Sequence, residues 1–401
     1  MKTLLISFFS FLFLISVAQA ATVTPFSSPE NSYQAMSDYL AGIQESAYME
    51  VYTFTTLEFA DRVAEAANRG VDVKVIVDGS PVGQKVNATI LCHLEKNNAQ
   101  VYLHKTGARY MHAKYIVGNN KSAAVTSENF GSDGFHWNRG WGAVIEDSVL
   151  ANRLAEIFSE DLKNSEEFVC QENVERKISK PPERIELKKY IEPDPQLIVA
   201  PDAVEDMVGL INSAQKSLYI EQFYIYKNWK GGANLFLEAA IEKARRGVDV
   251  KILLDSSKYN VEPDEPNSNY NTAEYIKGIS VSEKIPLDVR LANLDELKLS
   301  KVHNKGLIID NQTVLISSIN WNENSPRNNR EIGVAITGDS VGYFLGKFLD
   351  DWNSGYSQED YTSSLGGKVV SKDYPGITIN IVVFIIVVSI GMLLIKRKLS
   401  R

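Results

Sequence analysis

Ala67-Asn-Arg-Gly-Val-Asp-Val-Lys-Val-Ile-Val-Asp78 recurs 177 residues later as Ala244-Arg-Arg-Gly-Val-Asp-Val-Lys-Ile-Leu-Leu-Asp255. Each copy reads as the end of a helix, a glycine cap and then a strand of branched apolar residues. Working outward, Leu57, Ala60, Val63, Ala64 and Ala67 recur at helical spacing, and the counterpart helix is expected over Ala233 to Arg245. Earlier still, Tyr48-Met-Glu50-Val-Tyr-Thr-Phe pairs with Leu218-Tyr-Ile-Glu221-Gln-Phe-Tyr as strands. Strands alternating with helices predict an α/β fold in two related halves, each a central sheet covered on both faces. The halves are expected to pack about a pseudo-twofold axis.

A second repeat carries the chemistry. His112-Ala-Lys-Tyr-Ile-Val-Gly-Asn119 is answered by His303-Asn-Lys-Gly-Leu-Ile-Ile-Asp310, 191 residues on. The offset holds downstream: Ser127 and Asn129 answer to Ser318 and Asn320, and Asn138-Arg139 to Asn329-Arg330. Both copies enter apolar runs that read as strands, where residues two apart share a face, so each histidine points the same way as its lysine. Histidine serves as nucleophile or proton donor, while lysine and the asparagine amide suit the oxygens of a phosphate. Lys114, Lys305, Asn129, Asn320, Ser127 and Ser318 are therefore candidate phosphate-contacting groups. Asn119 and Asp310 have the opposite parity and are expected to serve structure.

This pattern resembles the phospholipase D superfamily, whose signature is HxKxxxxD followed by Gly/Ser-Ser-x-Asn, and the resemblance covers roughly residues 40 to 350. It implies two phospholipase D-like α/β sandwich halves and a phosphodiesterase that works through a covalent phosphohistidine, without metal or cofactor. The second copy matches fully and adds Glu331, 28 residues after His303, where the family has a carboxylate that orients a histidine. The first copy departs at Asn119 and at Gly140, which stands where Glu331 stands in the second. Carried over, His112 is the nucleophile and His303 the general acid and base, with Glu331 expected to hold the His303 ring.

Other residues have blander readings. His93 and His104 lack partners and are expected at the surface or in packing; His136 is a candidate to line the cleft. Trp137, Trp229 and Trp321 are candidate cleft aromatics. Insertions at Tyr259 to Tyr275 and at Lys227-Asn-Trp-Lys-Gly-Gly are expected as loops, able to rim the site. No HExxH and no Cys/His cluster suggests a metal.

The ends set the location. Met1-Lys2, the apolar run Leu4 to Val17 and Ala18-Gln-Ala20 read as a signal peptide over residues 1–20. Ile377 to Ile395 are 19 residues without charge, about 28 Å of helix, and Lys396-Arg-Lys398 follow. That predicts a transmembrane helix over 376–395, a cytoplasmic tail over 396–401 and catalytic halves outside the cytoplasm. The halves are expected over 21–176 and 196–355, joined by a linker over 177–195, with a membrane-proximal linker over 356–375. Two cysteines, Cys92 and Cys170, suit a disulfide in an exported chain. A net charge of −8 gives no global basic field to gather nucleic acid. The expected substrate is a phosphodiester, either a phospholipid or a single-stranded nucleic acid, and the site is complete in one chain, so a monomer is expected. Hydrolysis or transfer of phospholipid head groups is the leading reading; a nuclease, or a binding protein for phosphate ligands, is the alternative.

Overall fold

The computed structural model describes residues 20–356, apart from residue 84 and residues 172–175. The expected leader (save Ala20) and everything from residue 357 onward, including the expected spanning helix and tail, lie outside the described residues. Among the described residues no helix is long and apolar enough to cross a membrane.

The duplication is visible strand by strand. The first half supplies β1 (Ala21–Ser28), β2 (Ser46–Val51), β3 (Asp72–Asp78), β4 (Gln100–His104), β5 (Lys114–Gly118), β6 (Ser122–Thr126), β7 (Asn138–Glu146), β8 (Ser165–Glu167) and β9 (Tyr190–Glu192). The second supplies β10 (Gln196–Ala200), β11 (Ser217–Gln222), β12 (Asn228–Trp229), β13 (Gly232–Ala233), β14 (Asp249–Leu254), β15 (Leu287–Leu291), β16 (Lys301–Val302), β17 (Lys305–Ile309), β18 (Thr313–Ser317) and β19 (Glu331–Thr337). The strand order β4-β3-β2-β5-β6-β7-β1 in the first sheet is repeated as β15-β14-β11-β17-β18-β19-β10 in the second. β8 and β9 extend the first sheet at its two edges. β9 falls in the segment read as a linker, residues 177–195, so that segment adds Tyr190–Glu192 to the sheet instead of only crossing between halves.

Both motif strands are buried on both faces. Helices Ser32–Gly42, Leu57–Asn68 and Ala88–Lys96 cover the outer face of the first sheet, where Ile116 and Ala124 pack with Met36, Phe59 and Leu91. The opposite parity, Tyr115, Val117 and Trp141, joins Ile308, Ile316 and Phe344 in a core that draws on both halves. Helices Ser148–Leu162 and Val341–Ser354 supply the middle of that core, through Phe158 stacked on Tyr48 and Phe348 stacked on Tyr219. A shared apolar core of this kind fixes the halves against each other, because separating them would return all of it to water.

The expected helix before the second repeat is present over Leu235–Arg245, and Gly70 and Gly247 take positive φ after the two equivalent helices. The insertions are more ordered than loop composition suggests. Asn228–Trp229 and Gly232–Ala233 form a small hairpin, Lys258–Asn260 is a 3-10 turn, and Asn269–Glu283 is a helix capped by the Ser268 side chain, so only residues 261–268 are irregular. Cys92 and Cys170 are joined as a disulfide.

Candidate active site

Each histidine sits just ahead of its strand and is fixed by the other half. The His112 N–H donates to the Arg330 carbonyl at 2.8 Å, and the His303 N–H donates to the Arg139 carbonyl at 2.9 Å. The crossing is matched by β16 pairing with β7 and by a bridge between Met111 and Arg330. The repeated Asn-Arg pairs are thus the seam: Arg139 is ion-paired with Asp351 and Arg330 with Asp161, each across the halves. Their carbonyls, at the head of β7 and just before β19, hold the histidines where the halves meet.

The imidazoles are braced on two sides. The His112 ring lies 4.7 Å from Tyr52, and the His303 ring 4.7 Å from Phe223, a residue in the equivalent place. His112 Nδ1 hydrogen-bonds Glu331 Oε2 at 2.7 Å. This corrects the expectation that Glu331 holds His303. The pseudo-twofold places the start of β19 beside the histidine of the opposite half, which spacing along the chain cannot reveal. With Nδ1 engaged by a carboxylate, Nε2 of His112 is the nitrogen left for attack. Burial is the first cause holding the His112 pKa down, to about 4, with Glu331 opposing it, so the ring is neutral at pH 7, as a nucleophile requires.

Around His303 the carboxylate comes from a residue that the repeat did not single out. Glu128 Oε2 lies 3.2 Å from His303 Nδ1, though out of line with it, and among the described residues no other acceptor serves that nitrogen. Asn138 Nδ2 donates to Glu128 Oε2 at 3.1 Å, and Asn329 Nδ2 donates to Glu331 Oε1 at 3.0 Å, so the two carboxylates have equivalent props. The signal for Glu128 in the sequence was a carboxylate between Ser127 and Asn129 where the second copy has Ile319.

Lys114 and Lys305 are buried beside the histidines, and each ammonium donates to the carbonyl of its own motif histidine. Burial lowers both: Lys114 to about 8, and Lys305 well below its usual range. An arriving phosphate monoanion would reverse that trend by supplying the missing negative charge. Asn129 is half-buried and Asn320 buried, and the Oδ1 of each has no hydrogen-bond partner among the described residues. Ser127 and Ser318 do not reach the cleft. Their hydroxyls accept the N–H groups of Trp141 and Ile332 and are spent on the β6–β7 and β18–β19 connections.

Asn119 and Asp310 close the far ends of β5 and β17. Both take positive φ; Asn119 Oδ1 accepts from the N–H groups of Gln44, Glu45 and Ser46, and the Asp310 carboxylate from Gln215, Lys216 and Ser217. Asparagine can replace aspartate there because one oxygen does the work.

Of the remaining residues, His93 packs against Asp61 and His104 is buried, while His136 turns away to Glu58. Trp229 and Trp321 are not cleft aromatics, since both pack around Phe236 in the core. Trp137 remains exposed. A polar cavity of about 180 Å³ opens beside His303, lined by Thr53, Thr55, Asn129, Asn138 and Lys301 among others. A larger one, about 370 Å³, lies at the Asn119 end of β5 and contains none of these groups. Among the described residues no cluster of three or more His, Cys, Asp or Glu is placed to hold a metal.

The sequence pattern described as "Cardiolipin synthase, PLD-like domain" matches residues 36–162 and 207–352. The chain belongs to that family. It therefore belongs to the phospholipase D superfamily, and the two matched segments correspond to the two sheets. The major cardiolipin synthase ClsA of Bacillus subtilis is 30% identical over 128 residues, 31% of this chain and 26% of that protein. A phospholipase D of Rickettsia bellii is 27% identical over 136 residues, 34% of this chain and 66% of that one. The fold is similar to that of phosphatidylserine synthase from Haemophilus influenzae, with a TM-score of 0.63 at 14% identity, covering 84% of this chain and 88% of that one. The match spans about a quarter of the first relative, 26% of its length.

Proposed function

We propose that the protein is a membrane-anchored, extracytoplasmic phosphodiesterase that hydrolyses or transfers phospholipid head groups through a phosphohistidine on His112. The observation that carries this reading is the cross-half pairing of His112 Nδ1 with Glu331 at 2.7 Å, which leaves a neutral Nε2 beside two buried lysines. In the first step Nε2 attacks phosphorus, the bond to the leaving oxygen breaks, and protonated His303 gives its proton to that oxygen. In the second, neutral His303 takes a proton from water or an alcohol, whose oxygen bonds to phosphorus as the bond to His112 breaks. Lys114, Lys305, Asn129 and Asn320 offset the charge on the non-bridging oxygens throughout. Relatives named as a cardiolipin synthase and a phospholipase D support a lipid substrate, and the apolar stretch before Lys396 supports a site held near a bilayer.

A nuclease for single strands is the second reading. It is favoured by the polar cavity at His303 and by exposed Trp137 and Tyr259, the latter packed on Phe223, which could stack bases.

The test is to incubate the full chain with phospholipid vesicles and a single-stranded oligonucleotide in chelator, against a His112→Ala control. Phosphatidic acid or exchanged lipid, with ³²P-labelling of the protein lost in the control, is expected. Shortened oligonucleotides alone would replace the lipid reading with the nuclease one. Neither product from folded protein would leave only a binding function.

A further inference from the structure

We propose that Glu128 is the positioning carboxylate of His303, performing from the connection after β6 the role that Glu331 performs for His112 from the start of β19. The proposal rests on the phosphodiesterase reading above and concerns how one chain divides two chemical roles between two nearly identical halves.

Four observations converge on it. The position equivalent to Glu331 in the first half is Gly140. A Cβ placed there would lie 2.4 Å from Glu128 Cγ and 2.6 Å from Oε1, so the Glu128 side chain fills the space that a residue-140 carboxylate would use. A second glycine, Gly134, gives it room: a Cβ there would come within 3.2 Å of Glu128 Oε2. Finally, Asn138 still props the carboxylate as Asn329 props Glu331, although the carboxylate has moved twelve residues along the chain from 140 to 128. The glycine and the glutamate are two halves of one exchange: either alone would leave a void or a clash.

The relocation makes the two histidine–carboxylate pairs unequal. Glu331 meets His112 in line at 2.7 Å and is held below its usual pKa, chiefly by His112 acting against the burial that would raise it. Glu128 stands off-line from His303, is buried, and is raised by that burial to about 7, with Lys305, Asn138, Lys301 and Lys114 opposing. The groups facing it are thus His303 and Lys305 at β17, Lys301 on β16, Lys114 on β5 and Asn138 on β7. His303 itself is lowered by burial and by those lysines. Below about pH 7 Glu128 and His303 together therefore hold one proton. When the anionic phosphodiester enters, that proton resides on the imidazole, and Nε2–H passes it to the leaving oxygen. Glu128 is then anionic and His303 neutral, ready to take a proton from the attacking water or alcohol. The asymmetry assigns acid catalysis to the second-half histidine.

The experiment measures turnover of bis(4-nitrophenyl) phosphate by the full chain, as a function of pH, for wild type, Glu128→Gln, Glu128→Ala and Glu128→Ala/Gly140→Glu. Glu128→Gln is expected to lower kcat roughly 10²-fold with little change in KM, and to move the alkaline limb below its wild-type position near 7, because His303, already lowered by burial and the lysines, loses the carboxylate that shares its proton. The double variant returns a carboxylate to the position it has in the second half and is expected to regain at least tenfold over Glu128→Ala. Wild-type kcat and pH profile in Glu128→Gln would overturn the proposal. So would a double variant no more active than Glu128→Ala, whether or not the single variants are stably folded. Absence of turnover by wild type towards this probe and the lipid and oligonucleotide substrates is a different result, and rejects the phosphodiesterase reading itself.

Discussion

His112 shows how burial and a partner tune one side chain in opposite directions. Burial drives its pKa down to about 4 from 6.5, and Glu331 limits the fall. Because the folded state refuses a proton that the unfolded chain binds, this contribution to stability is fully present above pH 6.5. It is lost as pH falls through about 4. Wild type should therefore lose about 2 kcal/mol more than His112→Asn between pH 7.5 and 4.5, read from urea unfolding at the two pH values. Glu128 has the opposite sign: its raised pKa stabilises the fold at low pH, and the contribution is lost as pH rises through about 7. The asparagine variant is the right comparison because Glu128 is present in both proteins and cancels.

At the scale of the element, β17 illustrates how a motif strand is shaped by the other half. Gly306, one residue after Lys305, lies against Trp141 of β7: a Cβ there would meet the indole at 2.4 Å. Trp141 is fully buried and packs on Phe344, so the ring has little freedom to retreat. Gly306→Ala is expected to cost about 1–3 kcal/mol through overpacking, measured as a drop in chemical-denaturation midpoint, and to reduce turnover because β17 carries Lys305 and His303 lies just ahead of it. The glycine in HNKG was visible in the sequence, but its reason was not, since Trp141 lies 165 residues away along the chain.

At the scale of the whole molecule, the seam depends on two buried ion pairs, Arg139 with Asp351 and Arg330 with Asp161, related by the pseudo-twofold. Behind them lie Glu50 and Glu221, fully buried and raised well above the usual carboxylate range by that burial and by Asp161 and Asp351 respectively. Burial thus disfavours charge on those two acids, so Arg330 depends on Asp161, while Arg139 is paired with both Asp351 and Glu30. Asp161→Ala leaves Arg330 without its ion-pair partner and is expected to cost about 3 kcal/mol. Denaturant unfolding checks this, together with loss of activity, since the Arg330 carbonyl holds the His112 backbone.

The repeated helix–glycine–strand segments determined an α/β duplication, and the in-step His, Lys and Asn determined which chemistry each half brings. Both are local: periodicity and spacing are properties of a single segment. The sequence also marked Asn119 and Asp310 as apart from the cleft, because strand parity is set by the backbone alone. Which carboxylate serves which histidine was decided only by the tertiary structure, since Glu331 and Glu128 each act across the seam, on a residue distant in sequence. The same holds for Trp229 and Trp321, whose indoles the second-half core claimed, and for Ser127 and Ser318, whose hydroxyls the neighbouring strands claimed. Contacts that cross a pseudo-twofold leave no periodic trace in a chain, and the division of labour in this site is built from such contacts.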